Sequence, residues 1–202
     1  MSKIKICGLF REEDIKYVND TKPDFAGFIV DFPKSHRNLE FENAKNLISK
    51  LDKSIKSVCV TVDKEPSYIE KLSEICDIIQ LHGNENEEYI KILRNKIPNT
   101  QIWKAFKIRD KNNLIDALKS SADLILLDNG YGTGEIFDWS IIEKINRNFI
   151  LAGGINSENI KIAMDKFNPY ILDLSSSVET NKIKDLKKIK EIIDIVRSGD
   201  DE

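Results

Sequence analysis

The sequence predicts an α/β protein built as a single compact (β/α)8 TIM barrel, and three observations carry that expectation. Short apolar, β-rich runs alternate with longer amphipathic runs, the pattern of a parallel sheet with helical crossovers. The alternation divides into eight units with no long unexplained segment, and 202 residues over eight units give about 25 per unit, near the lower end for such barrels. Glycine pairs and serine clusters follow the seventh and eighth runs. An open doubly wound sheet carries its glycine-rich phosphate loop after the first strand, where this chain has Cys7-Gly8-Leu9-Phe10.

Taken in order, the first strand is 3–7, in which Lys3-Ile4-Lys5-Ile6 runs straight into Cys7-Gly8, and the first helix is 11–20. Strand 25–30 is followed by helix 41–51, strand 57–62 by helix 67–75, and strand 77–81 by helix 87–95. Strand 101–106 precedes helix 111–119. Strand 123–127 contains Leu124-Ile125-Leu126-Leu127, too apolar to be exposed on either face, and precedes a helix at 139–146. Strand 149–152 leads to helix 157–167, and strand 170–174 to helix 184–197. The helices share apolar residues at spacings of three and four with lysine and glutamate between them, and in the last one Ile189, Ile192, Ile193 and Val196 trace a stripe. One domain is expected over 1–197, with a short acidic tail, 198–202, that frays.

Composition narrows the function classes. Hydrophobic residues make up 41% and charged residues 32%, values of an ordinary globular chain rather than a disordered, collagen-like or coiled-coil one. Lys and Arg number 31 against 34 Asp and Glu, a net charge of -3, and the basic residues are scattered, which argues against nucleic acid as a partner. No apolar stretch reaches the roughly 20 residues of a membrane span, and the start of the chain reads as a strand rather than a signal peptide, so a cytoplasmic protein with no membrane partner is expected. Cys7, Cys59 and Cys76 lack Cys-x-x-Cys spacing and fit reduced intracellular thiols. His36 and His82 are the only histidines and stand far apart, so no metal site is expected.

In a (β/α)8 barrel chemistry is done where strands end and loops begin, which brings forward the residues at those positions. Ala152-Gly153-Gly154-Ile155-Asn156 follows the seventh strand and opens a helix capped by Asn156 or Ser157, so backbone N–H groups can approach an anion. Ser175-Ser176-Ser177 follows the eighth and adds hydroxyl and amide donors. Either loop alone reads as a tight turn or a helix cap; in adjacent units they point to a bound phosphate. Gly132-Thr133-Gly134, after the sixth strand, is a flexible polar loop that could close on the same ligand.

Asp128 ends the apolar sixth strand, so its carboxyl should emerge at the barrel mouth, although Asp128-Asn129-Gly130 also reads as a turn. Cys7 could be a small buried hydrophobe, but its place after the strand favours a reactive thiol whose thiolate fraction the first helix's N-terminus would raise. Asp128 would serve as an acid if its apolar surroundings and a substrate phosphate kept it protonated. Arg37 offers a planar fork suited to a carboxylate, although a lone loop arginine is ordinarily solvated surface. His82 either lines the mouth or makes a structural hydrogen bond.

Many short motifs occur in one order along the chain: Lys5-Ile6-Cys7-Gly8, Gly27-Phe28, Lys34-Ser35-x-Arg37, Gln80-Leu81-His82-Gly83-x-Glu85, Lys104-Ala105 and Asp128. They continue with Gly132-Thr133-Gly134, Phe137-Asp138-Trp139, Leu151-Ala152-Gly153-Gly154, Asn159, Asp173-x-Ser175-Ser176-x-Val178-Glu179 and Lys184-Asp185. On these residues the chain resembles the phosphoribosylanthranilate isomerase family of tryptophan biosynthesis over nearly its whole length. The resemblance implies an Amadori rearrangement of N-(5-phosphoribosyl)anthranilate to the 1-deoxyribulose 5-phosphate product without metal or organic cofactor. It further implies Cys7 as general base, Asp128 as general acid and Arg37 as the residue meeting the anthranilate carboxylate. Gly154, Ser175 and Ser176 then belong to the phosphate loops, and Asp173 contacts substrate. The expected partner is that small molecule alone, on a monomer or homodimer.

Two positions depart from the family pattern, Ser177 and Tyr131, both where glycine is usual. If position 177 requires a positive φ, serine there costs about 1 kcal/mol and weakens phosphate binding. Another sugar-phosphate isomerase on the same barrel is one alternative, but a carboxylate in place of Cys7 and a half-barrel repeat, which mark the related histidine-pathway isomerase, are not found. A barrel that binds a phosphorylated metabolite without turnover is the other, and it gives no reason for Cys7 and Asp128 to occur together.

Overall fold

The structure, a computed structural model, describes residues 2–128, 139–142 and 145–198. Its parallel strands β1 (Lys3–Cys7), β2 (Phe25–Val30), β3 (Lys56–Thr61), β4 (Ile78–Leu81), β5 (Gln101–Lys107), β6 (Leu124–Asp128), β7 (Phe149–Leu151) and β8 (Ile171–Leu174) pair in chain order. β1 pairs with both β8 and β2, so the sheet closes on itself and the expected (β/α)8 barrel forms. Around it lie α1 (Glu12–Thr21), α2 (Phe41–Ile48), α3 (Pro66–Ser73), α4 (Glu87–Lys96), α5 (Lys111–Leu118), α6 (Ile160–Phe167) and α7 (Leu186–Arg197).

Strand alternation separates two cores. Ile4, Ile6, Phe28, Ile79, Leu81, Ile125, Leu127 and Leu172 point outward and pack with the apolar stripes of the helices, including Ile189, Ile192, Ile193 and Val196 of α7. Phe25, Val58, Val60, Ile78, Trp103, Leu124, Leu126, Ile150 and Ile171 point inward and fill the barrel. Trp103 meets Phe25 edge-on, with ring centroids 5.1 Å apart, and the Lys3 ammonium lies over the rings of Phe25 and Tyr170. Each fully buried aliphatic side chain contributes about 1.5–3 kcal/mol by leaving water. The same packing fills the barrel from its N-terminal end, and the cavity among the described residues lies where the strands finish.

The predicted elements recur with shifted ends. The helix expected at 139–146 does not form as predicted. A 3-10 turn, Trp139–Ile141, stands at its start, positions 143–144 lie outside the described residues, and 145–148 are irregular. Trp139 is held against Phe167 of α6 at 5.6 Å, and the Arg147 guanidinium donates to the carbonyls of Leu118, Ser120 and Ala122, so these two residues are fixed by contacts with neighbouring elements. The last helix begins at Leu186, not 184. Asp185 caps it by accepting from Lys187 and Lys188 N–H groups, and Ile183–Lys184 pairs antiparallel with Glu179–Thr180. Of the predicted acidic tail only Ser198 lies within the described residues.

Candidate active site

At the C-terminal ends of the strands lies a cavity of about 1010 Å³. Nine of the ten residues expected from the sequence line it: Cys7, Arg37, His82, Asp128, Gly153, Gly154, Asp173, Ser175 and Ser176. The tenth, Gly132, lies outside the described residues, as does Tyr131.

Cys7 is the last residue of β1, and alternation puts Lys5 on the same inward face one step below it. Lys5 stands beside Asp173 in the β1–β8 register, and its buried ammonium donates to both carboxylate oxygens of Asp173 at 2.9 Å. Asp173, expected as a substrate contact, thus lines the cavity while both its oxygens are bonded to Lys5. The Cys7 sulfur shares this inward face, where the charge of Lys5 acts on it. Burial pushes the Cys7 thiol above its ordinary pKa, and Lys5 opposes that rise without cancelling it.

The expected help from the first helix's N-terminus is not given. α1 begins only at Glu12, and the N–H groups of Phe10 and Arg11 donate to the buried Asp14 carboxylate at 3.0 and 3.1 Å. Beside this sulfur, in register on the neighbouring strand β2, Gly27 is required by close approach. A Cβ there would stand 2.8 Å from Cys7 Sγ and 3.1 Å from Lys5 Cε.

Asp128 ends β6, three strands from β1 around the barrel, and its Oδ2 faces His82 Nε2 at 3.8 Å. His82 takes both roles left open by the sequence, lining the cavity and accepting at Nδ1 from the Gln80 amide at 3.1 Å. That bond leaves the ring proton on Nε2, toward Asp128. Burial, helped by the charge of Lys5, lowers the His82 pKa to about 4, so the ring is neutral at neutral pH. The loop after His82 is fixed by a buried pair: Lys104 Nζ reaches Glu85 at 2.8 Å and the Gly83 carbonyl at 2.7 Å, while Glu85 accepts from the Asp63 and Gly83 N–H groups.

Arg37 is no solvated loop residue. Its Nε and Nη2 meet the two carboxylate oxygens of Glu179, each at 2.7 Å, and Lys184 Nζ reaches the same carboxylate at 2.6 Å and the Ser175 carbonyl at 3.0 Å. Burial favours the neutral Glu179 acid, but Arg37 and Lys184 outweigh it and hold the carboxyl below its ordinary range.

Gly153 and Gly154 have φ of 82° and 72°, so the turn needs residues without a Cβ penalty, and no acceptor among the described residues meets their N–H groups. Helix α6 begins at Ile160 rather than 157, after a turn in which Asn156 Oδ1 accepts from Glu158 and Asn159; Ser157 makes no cap. The Ser175 hydroxyl is spent on the Cys7 carbonyl at 3.0 Å, which ties the eighth loop to the end of β1. Ser177 lies in a 3-10 turn, Ser176–Val178, and is not among the residues with positive φ, so the expected strain of serine there does not arise.

The sequence reading assigned no role to Lys5, Gly27, Glu85, Lys104, Glu179 or Lys184. Lys5 was the most accessible of them: a lysine two residues before a strand-end cysteine shares its inward face. No helix among the described residues is long and apolar enough to cross a membrane.

A family model described as N-(5'-phosphoribosyl)anthranilate (PRA) isomerase matches residues 4–195. The chain belongs to this family. PRA isomerase is an isomerase of tryptophan biosynthesis, and the relatives agree over their full length. The chain is 47% identical to N-(5'-phosphoribosyl)anthranilate isomerase of Clostridium kluyveri, covering 98% of this chain and 99% of that one. To the protein of the same name from Endomicrobium trichonymphae it is 44% identical, with 98% and 100% covered. The crystal structure of phosphoribosyl anthranilate isomerase from Thermotoga maritima superposes with a TM-score of 0.87 at 32% identity, covering 98% of this chain and 100% of that one. A PRA isomerase solved in complex with reduced 1-(o-carboxyphenylamino)-1-deoxyribulose 5-phosphate gives 0.82 at 29% identity, with the same coverage.

Proposed function

We propose that this chain isomerises N-(5-phosphoribosyl)anthranilate to the 1-deoxyribulose 5-phosphate product by acid–base chemistry, with Asp128 as general acid and Cys7 as general base. The observation that carries the reading is that Cys7 and Asp128, on strands three apart around the barrel, open into one cavity rimmed by Arg37 and the Gly153–Gly154 turn.

The phosphate lies on the N–H groups of Gly153 and Gly154 and the turn at Ser175 and Ser176, while Gly132 belongs to the same binding set on the family pattern. Arg37, held by Glu179 through Nε and Nη2, turns its Nη1 edge to the anthranilate carboxylate. The ribose then spans the space between sulfur and carboxyl, above Asp173, with the neutral His82 ring beside Asp128.

Asp128 gives its proton to the ribose ring oxygen. The C1′–O bond breaks, its electron pair leaving with oxygen, and the nitrogen lone pair closes a C1′=N bond. The Cys7 thiolate takes the proton from C2′, and that electron pair forms a C1′=C2′ bond and neutralises nitrogen. Transfer of the proton from the C2′ hydroxyl to C1′ yields the ketone. Cys7 then releases its proton and Asp128 takes one up, so no group outside substrate and protein enters the balance.

Each chain supplies a cavity of its own among the described residues, which suits a monomer or a homodimer, and the thiols at Cys7, Cys59 and Cys76 suit a reducing cytoplasm. The test generates the substrate in situ and follows loss of its fluorescence. Purified protein should turn it over equally with and without chelator, whereas Cys7→Ser and Asp128→Asn should each lose about 10²- to 10⁴-fold in kcat. Absence of turnover, or a rate abolished by chelation, would overturn the reading; a near-normal rate in either variant would remove that residue from it.

A further inference from the structure

We propose that Lys5 is a positioning residue for the reaction: its buried ammonium, clamped by Asp173, is the fixed counter-cation of the Cys7 thiolate. The inference rests on the assignment of Cys7 as base.

A lysine ammonium has three donors and is almost never fully buried unless it is paired. Lys5 is fully buried, at 0% exposure, and two of its donors go to Asp173 at 2.9 Å each. The Cys7 sulfur lies beside the same side chain, since Cys7 Sγ and Lys5 Cε both stand within 3.1 Å of the point a Cβ on Gly27 would occupy. The register of β1 and β8 sets Lys5 beside Asp173, and the alternation of β1 puts the ammonium on the inward face that also carries the sulfur. The usual alternative source of positive potential, a helix N-terminus, is spent on Asp14.

The other charged groups around the sulfur do not replace it. From β8 comes Asp173, which disfavours the thiolate; from the hairpin after β8 comes Lys184, committed to Glu179 and the Ser175 carbonyl. Across the mouth are Asp128 and the neutral His82, and β2 presents only Gly27. During proton abstraction sulfur gains the C2′ proton and its charge is neutralised, while Lys5 stays protonated throughout.

The test measures carbamidomethylation of Cys7 by iodoacetamide against pH, read on the Cys7 peptide by mass spectrometry so that Cys59 and Cys76 do not contribute. In Lys5→Met the midpoint should rise by about one pH unit or more, making alkylation near neutrality about tenfold slower, and kcat should fall about as far with KM little changed. Lys5→Arg should restore most of both. Because Lys5→Met strands a buried Asp173, Lys5→Met with Asp173→Leu keeps the barrel apolar, and its midpoint should still lie above that of the wild type, by less than in Lys5→Met because Asp173 itself disfavours the thiolate. An unshifted midpoint in these folded variants overturns the role of Lys5 and leaves Cys7 as base untouched. A shifted midpoint with unchanged kcat overturns instead the assignment of Cys7, and with it the catalytic meaning of Lys5.

Discussion

Arg37 and Glu179 meet fork to fork, Nε to Oε1 and Nη2 to Oε2 at 2.7 Å each, although 142 residues separate them in the chain. The pair joins the loop after β2 to the hairpin after β8 and so fixes the distance between the two ends of any ligand that spans them. Hydrogen bonds to charged groups contribute about 1.5–3 kcal/mol each. Glu179→Gln should therefore raise KM for phosphoribosylanthranilate by about tenfold or more while kcat changes less, as steady-state kinetics would show. A KM within twofold of wild type would mean that Arg37 keeps its position without the carboxylate.

Gly27 offers a second, independent probe of the sulfur. A methyl group at this position would sit 2.8 Å from Cys7 Sγ and 3.1 Å from the Cys7 Cα and Lys5 Cε, so either the thiol rotates away or the strand shifts. Displacement of a reacting atom by about 1 Å is enough for a rate loss on the order of 10²-fold. Gly27→Ala should thus lower kcat by about 10- to 100-fold with phosphate binding intact, since the phosphate loops lie on β7 and β8; inorganic phosphate inhibition checks the latter. Equal losses in kcat and phosphate affinity would point to general unfolding of the barrel end.

These two cases show where local pattern stops. Cys7 and Asp128 were legible because each ends a short β-rich run, and the glycine and serine loops because their chemistry is local. Strand alternation sets Lys5, two residues before Cys7, on the same face, but a charged side chain in a strand is read as solvent-facing unless the strand is known to curve into a barrel. Glu179 and Lys184 carry no local signal for Arg37, since that contact exists only once β8 closes on β1. The segment at 139–146 shows the converse: helical spacing was present, yet among the described residues Trp139 meets Phe167 edge-on in a 3-10 turn and Arg147 reaches backbone carbonyls of the preceding unit.

His82 makes acid stability predictable. Its ring has a pKa of about 4 in the folded protein because burial penalises the cation, whereas the unfolded chain titrates at about 6.5. Between these values the unfolded state binds the proton that the folded state refuses, so unfolding is favoured increasingly as pH falls from about 6.5 to 4 and no further below it. With the ring partly open to solvent, this amounts to about 1–3 kcal/mol. Thermal unfolding at pH 7.5 and pH 5 should show a smaller acid-induced drop in Tm for His82→Gln than for wild type. An equal drop would place the sensitive group elsewhere.

The buried pair of Lys104 and Glu85 stabilises the loop that carries His82, and the two partners are not equivalent. Lys104 bonds Glu85 and the Gly83 carbonyl, but Glu85 also accepts from the backbone N–H groups of Asp63 and Gly83. Removing one partner of a buried pair leaves an uncompensated charge and costs about 3–5 kcal/mol. At about 2–4 °C per kcal/mol for a chain of this size, Lys104→Met should lower Tm by about 6–20 °C. Pairing it with Glu85→Leu removes the stranded charge but takes the acceptor from two half-buried N–H groups, each at about 1–3 kcal/mol or less, so the double variant should recover only part of the loss. Lys104→Met with Glu85→Gln, whose amide oxygen still accepts from the backbone, should recover more. Calorimetry of the three variants orders them, and equal recovery by leucine and glutamine would show that the carboxylate serves the ammonium alone.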